Sequence, residues 1–111
     1  MTPSAKKFAL DKELIKPLAK GFGGCIASDR ILVDGCRVGY MYRQAPVDEV
    51  DSGWCFLAGD ESDDYMANNA NHGVYDVNTI ANYDPDIVPY LDYETGSAFE
   101  RRNGGPLQLI R

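Results

Sequence analysis

The residues best suited to metal chemistry lie in an acidic run just past the middle of the chain. Asp60, Ser62 and Asp64 alternate as the first ligands of an EF-hand calcium loop do. Tyr65, however, stands where that loop needs a glycine, and Asn71 stands where it needs a bidentate glutamate. The EF-hand hypothesis therefore fails at two demanding positions. A calcium site of another kind stays open, and the preferred interpretation is a set of solvated acids at the start of a helix.

Thiol or zinc chemistry would depend on Cys25, Cys36, Cys55 and His72, the three cysteines and the one histidine of the chain. They form no Cys-x-x-Cys or His-x-x-x-His pair. A catalytic thiolate needs a base within hydrogen-bond reach, which His72 provides only if its asparagine-rich loop folds back toward a cysteine. The wide spacing and odd number favour reduced, mostly buried thiols, with a disulfide between two of them as an open alternative.

Carboxylate pairs and glycine-rich loops are the remaining sources of chemistry. Asp76, Asp84 and Asp86 could converge as general acids and bases, but turn and capping roles follow more directly from their neighbours. The glycine-containing run at residues 21–24 lacks the GxxxxGK[ST] and GxGxxG patterns that cradle phosphate. We therefore expect no catalytic residue, no cofactor and no metal centre, and we interpret the protein as a non-enzyme.

Charge is distributed very unevenly along the sequence. Residues 44–100 contain no lysine or arginine, yet they carry thirteen of the seventeen acidic residues, and the net charge of the chain is −6. An acidic surface speeds encounter with basic partners and repels nucleic acid and anionic membranes. The pattern predicts a module that binds a basic protein surface, with neither nucleic acid nor membrane as partner. Carboxylates that only keep the protein dispersed are the alternative interpretation.

The elements that position these residues are predicted to form one compact α+β domain, with a mainly antiparallel sheet and short helices packed on one side. The length of 111 residues and the 44% apolar content fit a single core. Residues 1–22 are predicted to be a basic helical segment, limited by Pro17, and residues 23–111 the main domain. Because we find no signal-peptide pattern and no apolar run of membrane-spanning length, we expect a cytoplasmic protein.

Local patterns predict the individual elements. Residues 31–33 and 36–43 are predicted to form a hairpin around Asp34-Gly35, followed by a strand at 54–58. Asn78 and Asp84 are predicted helix caps, the second followed by Pro85. Further elements are a capped helical turn within 60–66, an irregular loop at 68–73, a short strand at 75–77, and closing strands at 97–102 and 107–110.

Two acidic segments are the predicted contact surface: an exposed loop at residues 44–53 and a cluster at residues 60–64. Their acids are Asp48, Glu49, Asp51, Asp60, Glu61, Asp63 and Asp64. Tyr65 and Tyr83 are candidate aromatic contacts, although each fits a half-buried tyrosine as well. Trp54 is either an interface residue or, at the start of an apolar strand, a core residue.

Four dense stretches carry a resemblance to a known family. They are GCIASDR at 24–30, VGYMYR at 38–43, DSGWCFLAGDE at 51–61 and YDVNTIANYDP at 75–85, and the most specific parts are SGWCFLAGDE and NTIANYDP. On these motifs the chain resembles bacterial immunity protein family thirty-three, formerly a domain of unknown function, from about residue 23 to residue 101. The resemblance implies a cytoplasmic protein of a polymorphic-toxin system that binds a toxin domain and blocks it.

The resemblance brings no catalytic residue with it, so it favours a binding role and leaves the toxin open. It agrees with the charge pattern, since toxins that act on nucleic acid tend to present basic clefts. Two other interpretations stay open: a small regulatory or housekeeping domain, and a metal-dependent hydrolase that uses clustered carboxylates.

Overall fold

A computed structural model describes residues 7–110, apart from the side chain of Lys12. The first six residues of the predicted helical segment 1–22 lie outside the described residues. In the rest of that segment one 3₁₀ helix, Lys12–Leu14, forms before the first strand begins. The helices within residues 7–110 all lack the length and apolar composition that crossing a membrane requires.

A six-stranded sheet forms the centre of the molecule. Its strands are β1 (Gly24–Ser28), β2 (Tyr40–Arg43), β3 (Asp51–Leu57), β4 (His72–Asp76), β5 (Ala98–Arg101) and β6 (Leu107–Leu109). Their spatial order is β4-β1-β3-β2-β5-β6, and β1 with β3 is the one parallel pair among them. This arrangement confirms the predicted α+β class and the mainly antiparallel sheet.

Short helices connect the strands, and a side-chain oxygen caps most of them. The helices are α1 (Asp29–Leu32), α2 (Asp63–Ala67) and α3 (Val77–Tyr83), with 3₁₀ helices at Asn69–Asn71 and Pro85–Tyr90. Ser28, Ser62 and Asp76 cap α1, α2 and α3, and each accepts a backbone N–H of the first turn. Asp84 caps the 3₁₀ helix that Pro85 begins, as the sequence predicts.

The predicted hairpin at residues 31–43 is wrong in its first half. Residues 31–33 belong to α1 and its C-cap instead of a strand, because Ser28 caps a helical turn and Ile31 and Leu32 are buried on its inner side. Gly35 uses its positive φ of 76° after the helix, where its N–H donates to the Ile31 carbonyl oxygen at 3.1 Å. The predicted cap Asn78 is replaced by Asp76, two residues earlier.

The hydrophobic core lies on one face of the sheet, under α3. Trp54, Phe56 and Phe99 are fully buried there, and Val77 and Ile80 of α3 pack into the same cluster. The burial of each such side chain contributes about 1.5–3 kcal/mol. The opposite face of β1 is left partly open, since Ile26 is exposed between two buried neighbours.

The basic N-terminal segment is fastened along α3. Asn78 and Asn82, one helical turn apart, accept the backbone N–H groups of Lys16, Leu18 and Ala19 at 2.7–2.8 Å. Both asparagines also donate to the Lys16 carbonyl oxygen. The asparagines of the NTIANYDP stretch therefore hold this segment to the domain.

Candidate partner-binding surface

The two predicted acidic segments lie at opposite ends of β3. The predicted exposed loop at residues 44–53 ends earlier than predicted, because residues 51–53 belong to β3 and Ser52 and Gly53 are buried. Residues 44–50, the 44–50 loop, lead into the strand at Asp51, whereas residues 60–64, the 60–64 segment, follow its last residue, Leu57. Seven strand residues at roughly 3.3 Å each separate the two ends by about 20 Å. The acids thus form two distinct regions of the surface.

Carboxylates fix the shape of the 44–50 loop from within. Asp48 Oδ1 accepts the Val50 N–H at 3.0 Å, and Asp51 accepts the N–H groups of Val47 and Gly53, both at 2.9 Å. Acids that bond to backbone N–H groups two to four residues away stabilise tight turns. These bonds therefore restrain the loop, although it is exposed.

Backbone contacts then join the loop to strand β1. The Gly24 N–H donates to the Val50 carbonyl oxygen at 2.6 Å, and the Ser52 hydroxyl donates to the Gly24 carbonyl oxygen at 2.6 Å. At the other end of the loop, the Gln44 N–H donates to the Gly53 carbonyl oxygen at 2.9 Å. These bonds place the loop beside the open face of β1.

Four exposed aliphatic side chains meet at that position. They are Ile26, Val47, Val50 and Val74, which we call the valine patch, and they are 42%, 84%, 73% and 78% exposed. Ile26 and Val74 are directly paired across β1 and β4, so their side chains share one face of the sheet. The four side chains, together with Asp48 and Asp51, line a hollow of about 230 Å³.

The 60–64 segment uses most of its acids within the fold. Asp60 accepts two hydrogen bonds from the Arg30 guanidinium, at 3.1 and 2.6 Å, and Arg30 also pairs with Asp34. These bonds from Arg30 lower the pKa of Asp60 below its ordinary value. Glu61 accepts the N–H groups of the two residues that follow β3, at 2.8 and 2.9 Å, which fixes the turn.

Asp63 and Asp64 stand in the first turn of α2 and are exposed. The carboxylates of Asp63, Asp64 and Glu49 make no hydrogen bond or ion pair to another residue of the described part of the chain. Near a helix N-terminus the negative charge of the first two is favoured. Within residues 7–110 these three carboxylates are the acids of the predicted set without a side-chain partner.

The three predicted aromatic contacts have different surroundings. The Trp54 ring is fully buried, and its N–H donates to the Leu91 carbonyl oxygen at 3.1 Å, so this residue belongs to the core and not to an exposed surface. Tyr83 is half-buried, and its hydroxyl accepts the Leu10 N–H at 3.0 Å. Tyr65 is half-buried with its ring edge-on to His72, and burial raises the pKa of its hydroxyl.

Of the three carboxylates considered for acid–base chemistry, Asp84 and Asp86 converge on one guanidinium, that of Arg101, at 2.8 and 3.2 Å, whereas Asp76 lies apart from this ion pair as a helix cap. Asp76 caps α3, while Asp84 is buried against Arg101 at 2.8 Å and accepts the Val38 N–H at 2.9 Å. Asp86 pairs with Arg37, which lowers its pKa. The three carboxylates are therefore engaged in a helix cap and in ion pairs, and Arg101 is shared by two of them.

The cysteines occupy separate positions as free thiols, with Cys25 and Cys55 buried and Cys36 half-buried. Burial raises the pKa of the Cys25 and Cys55 thiols, which disfavours the reactive thiolate. Within residues 7–110 no group of three or more histidine, cysteine, aspartate or glutamate side chains is placed to hold a metal ion.

Sequence reasoning missed the valine patch. A signal for its loop half was present, because Val47 and Val50 flank acids in a loop that has no other use for large apolar side chains. Ile26 and Val74 gave no comparable signal, because both lie in apolar or mixed strands. The local sequence does not determine which of these strands pair with each other.

Comparison with known proteins gives one match. The family model described as the Immunity protein Imm33 domain matches residues 25–111, which is most of the chain. No curated protein and no solved structure matches this chain.

Proposed function

Because the chain belongs to the Imm33 family of immunity proteins, we propose that it binds a cognate bacterial toxin in the cytoplasm and neutralises it through its acidic surface. The family match over residues 25–111 is the observation that carries this proposal. An immunity protein acts by occupying a surface of its toxin, which requires binding and no chemistry of its own.

The charge distribution supports a basic surface on the toxin. All thirteen acids between residues 44 and 100 lie in a stretch without lysine or arginine. Complementary charge raises the association rate and selects against wrong partners more than it adds affinity. A toxin that acts on nucleic acid would offer such a surface, since phosphate binding demands basic side chains.

The acids of the predicted set differ in what they contribute. Glu49, Asp63 and Asp64 have no internal partner among the described residues and supply the attraction. The other acids of the set have internal bonds, which fix the two ends of β3, and they add to the negative electrostatic potential of the surface. They are Asp48, Asp51, Asp60 and Glu61. Tyr65 follows Asp64 in the chain and is a further contact candidate.

The test uses the protein encoded next to this one, with its toxic activity inactivated by mutation. Binding is measured over a range of salt concentrations for the natural chain and for the triple variant Glu49→Gln, Asp63→Asn, Asp64→Asn. We expect about tenfold weaker binding at low salt, on the scale of a few tenths of a kcal/mol per exposed charge. The loss should shrink as salt rises.

A control variant with the same charge change, Asp11→Asn, Glu13→Gln, Asp92→Asn, should bind as the natural chain does, since its acids lie outside both regions. Co-expression must also protect cells from the active toxin. If the natural chain neither binds nor protects, a regulatory role is favoured. A hydrolytic activity that a chelator abolishes would favour the hydrolase instead.

A further inference from the structure

The valine patch combines three features that are rarely found together on a surface without a contact function. Its four aliphatic side chains come from β1, β4 and the 44–50 loop and converge while exposed. Contiguous exposed apolar groups with a polar rim mark interaction sites, whereas scattered ones do not. The hollow of about 230 Å³ has room for a side chain and is below the roughly 300 Å³ at which small-molecule pockets usually begin.

The patch is also preformed. Asp48 and Asp51, the first residue of β3, accept backbone N–H groups of the 44–50 loop, and the Val50 carbonyl oxygen accepts the Gly24 N–H. A surface that is already ordered loses little conformational entropy when a partner binds. The valine side chains are therefore presented at a low entropic cost.

The rim of the patch is acidic. Asp48 and Asp51 line the hollow, Glu49 lies between the two loop valines in sequence, and Asp76 follows Val74 by two residues on the same strand face. An apolar group flanked by positive charges complements this surface, because the apolar contact supplies affinity and the charges supply orientation.

We propose that the valine patch is the docking site for an apolar side chain of the toxin that is flanked by lysine or arginine. This proposal rests on the proposed function. It adds that the toxin docks at the 44–50 end of β3 and not at the 60–64 segment. A second copy of this chain is a poor occupant, since a two-fold contact through the patch would set the acidic rim against itself.

The test compares two sets of variants in binding to the same inactivated toxin. Val47→Thr, Val50→Thr and Val74→Thr, combined, keep the approximate side-chain shape and replace one methyl group of each valine with a hydroxyl, which makes the patch more polar. We expect this variant to bind about tenfold more weakly or worse, as truncations at the centre of an interface do. The control, Leu109→Thr with Ile110→Thr, removes apolar groups that are 53% and 44% exposed at the other edge of the sheet and should bind normally. Thermal unfolding of each variant checks that it is folded.

A second pair of variants tests the charge of the toxin segment. Val50→Lys and Val50→Glu introduce long side chains of opposite sign at one position. If the toxin segment is basic, the lysine variant binds more weakly than the glutamate variant. If the glutamate variant binds more weakly than the lysine variant, the inference that basic residues flank the apolar side chain of the toxin is overturned.

The outcomes separate the two proposals. If the threonine variant binds as the natural chain does while neutralising Glu49, Asp63 and Asp64 weakens binding, the valine patch is not the docking site and the proposed function stands. If the natural chain binds no toxin, the proposed function fails and the docking site fails with it. If sedimentation shows a dimer that the threonine variant abolishes, a second copy occupies the patch and the proposal is overturned.

Discussion

The two ends of β3 carry similar numbers of acids and use them differently. At the 44–50 end Asp48 and Asp51 accept backbone N–H groups of the loop, and Val47 and Val50 stand exposed on either side of Asp48 and Glu49. In the 60–64 segment Asp60 pairs with Arg30, Glu61 fixes a turn and Ser62 caps a helix. Among the described residues, no exposed large apolar side chain comes from the 60–64 segment.

This difference shows that acidic charge alone does not define a contact surface. Exposed ion pairs and turn-fixing carboxylates contribute to the fold, typically by a few tenths of a kcal/mol to about 1 kcal/mol each. Affinity for a protein depends more on apolar groups that lose water on binding. We therefore expect the end of β3 that has both acids and exposed valines to be the docking site, and three substitutions test that expectation.

The largest effect is expected from Gly53→Ala, where the 44–50 loop rejoins β3. Gly53 has a φ of 86°, and a Cβ there would overlap the carbonyl oxygen of Gln44. Strain and overlap together should lower the free energy of unfolding by about 2–4 kcal/mol and the melting temperature by roughly 10 °C or more. Thermal unfolding measures this, and toxin binding should weaken because the loop loses its shape.

Gly96→Ala is the matched control for Gly53→Ala. Gly96 has a φ of 99° with no atom within 4 Å of the added carbon, so it isolates the backbone strain, about 1–2 kcal/mol. Equal losses in the two variants would show that close packing against Gln44 does not hold the loop.

An intermediate effect is expected from Ser62→Ala in the second region. The Ser62 hydroxyl accepts the Tyr65 N–H at 3.1 Å, and the loss of such a cap costs about 1 kcal/mol. Urea unfolding measures the loss, and Ser62→Asn, which keeps a capping oxygen, should retain most of the stability. Toxin affinity should stay unchanged, because α2 lies at the other end of β3 from the valine patch. A large loss of affinity would move the docking site to the 60–64 segment.

The smallest effect is expected from Asp60→Asn, which removes the ion pair with Arg30. Because Arg30 lowers the folded pKa of Asp60, the stabilisation is fully present above the unfolded pKa of about 3.9 and is lost as the pH falls through the folded pKa. The free energy of unfolding of the natural chain should thus exceed that of the variant by about 0.2–1 kcal/mol at neutral pH. This difference should disappear toward pH 2.

Chemical unfolding at a series of pH values measures that gap. Asp92→Asn controls for the loss of one exposed charge outside both regions. A gap that persists at low pH would mean that Asp60 stabilises the turn by something other than its charge.

Elements with a strong local signal were predictable from the sequence. The apolar strand after Gly53, the cap at Asp84 before Pro85, and the closing pair of strands depend on neighbouring residues, and all are present. Residues 31–33 were not predictable, because a short aliphatic run suits a strand or a helix equally. The cap from Ser28 and the burial of Ile31 and Leu32 in the core favour the helix α1 over a strand at this position.

The sequence by itself determined the segregation of charge and the family motifs, since both are properties of residue order. Tertiary structure alone decided that Trp54 is buried and that Ile26 and Val74 lie side by side and exposed. Residues far apart in the chain become neighbours through strand pairing, and whether an apolar side chain is covered depends on which elements pack over it. A contact surface built from several segments is therefore visible only once the chain is folded.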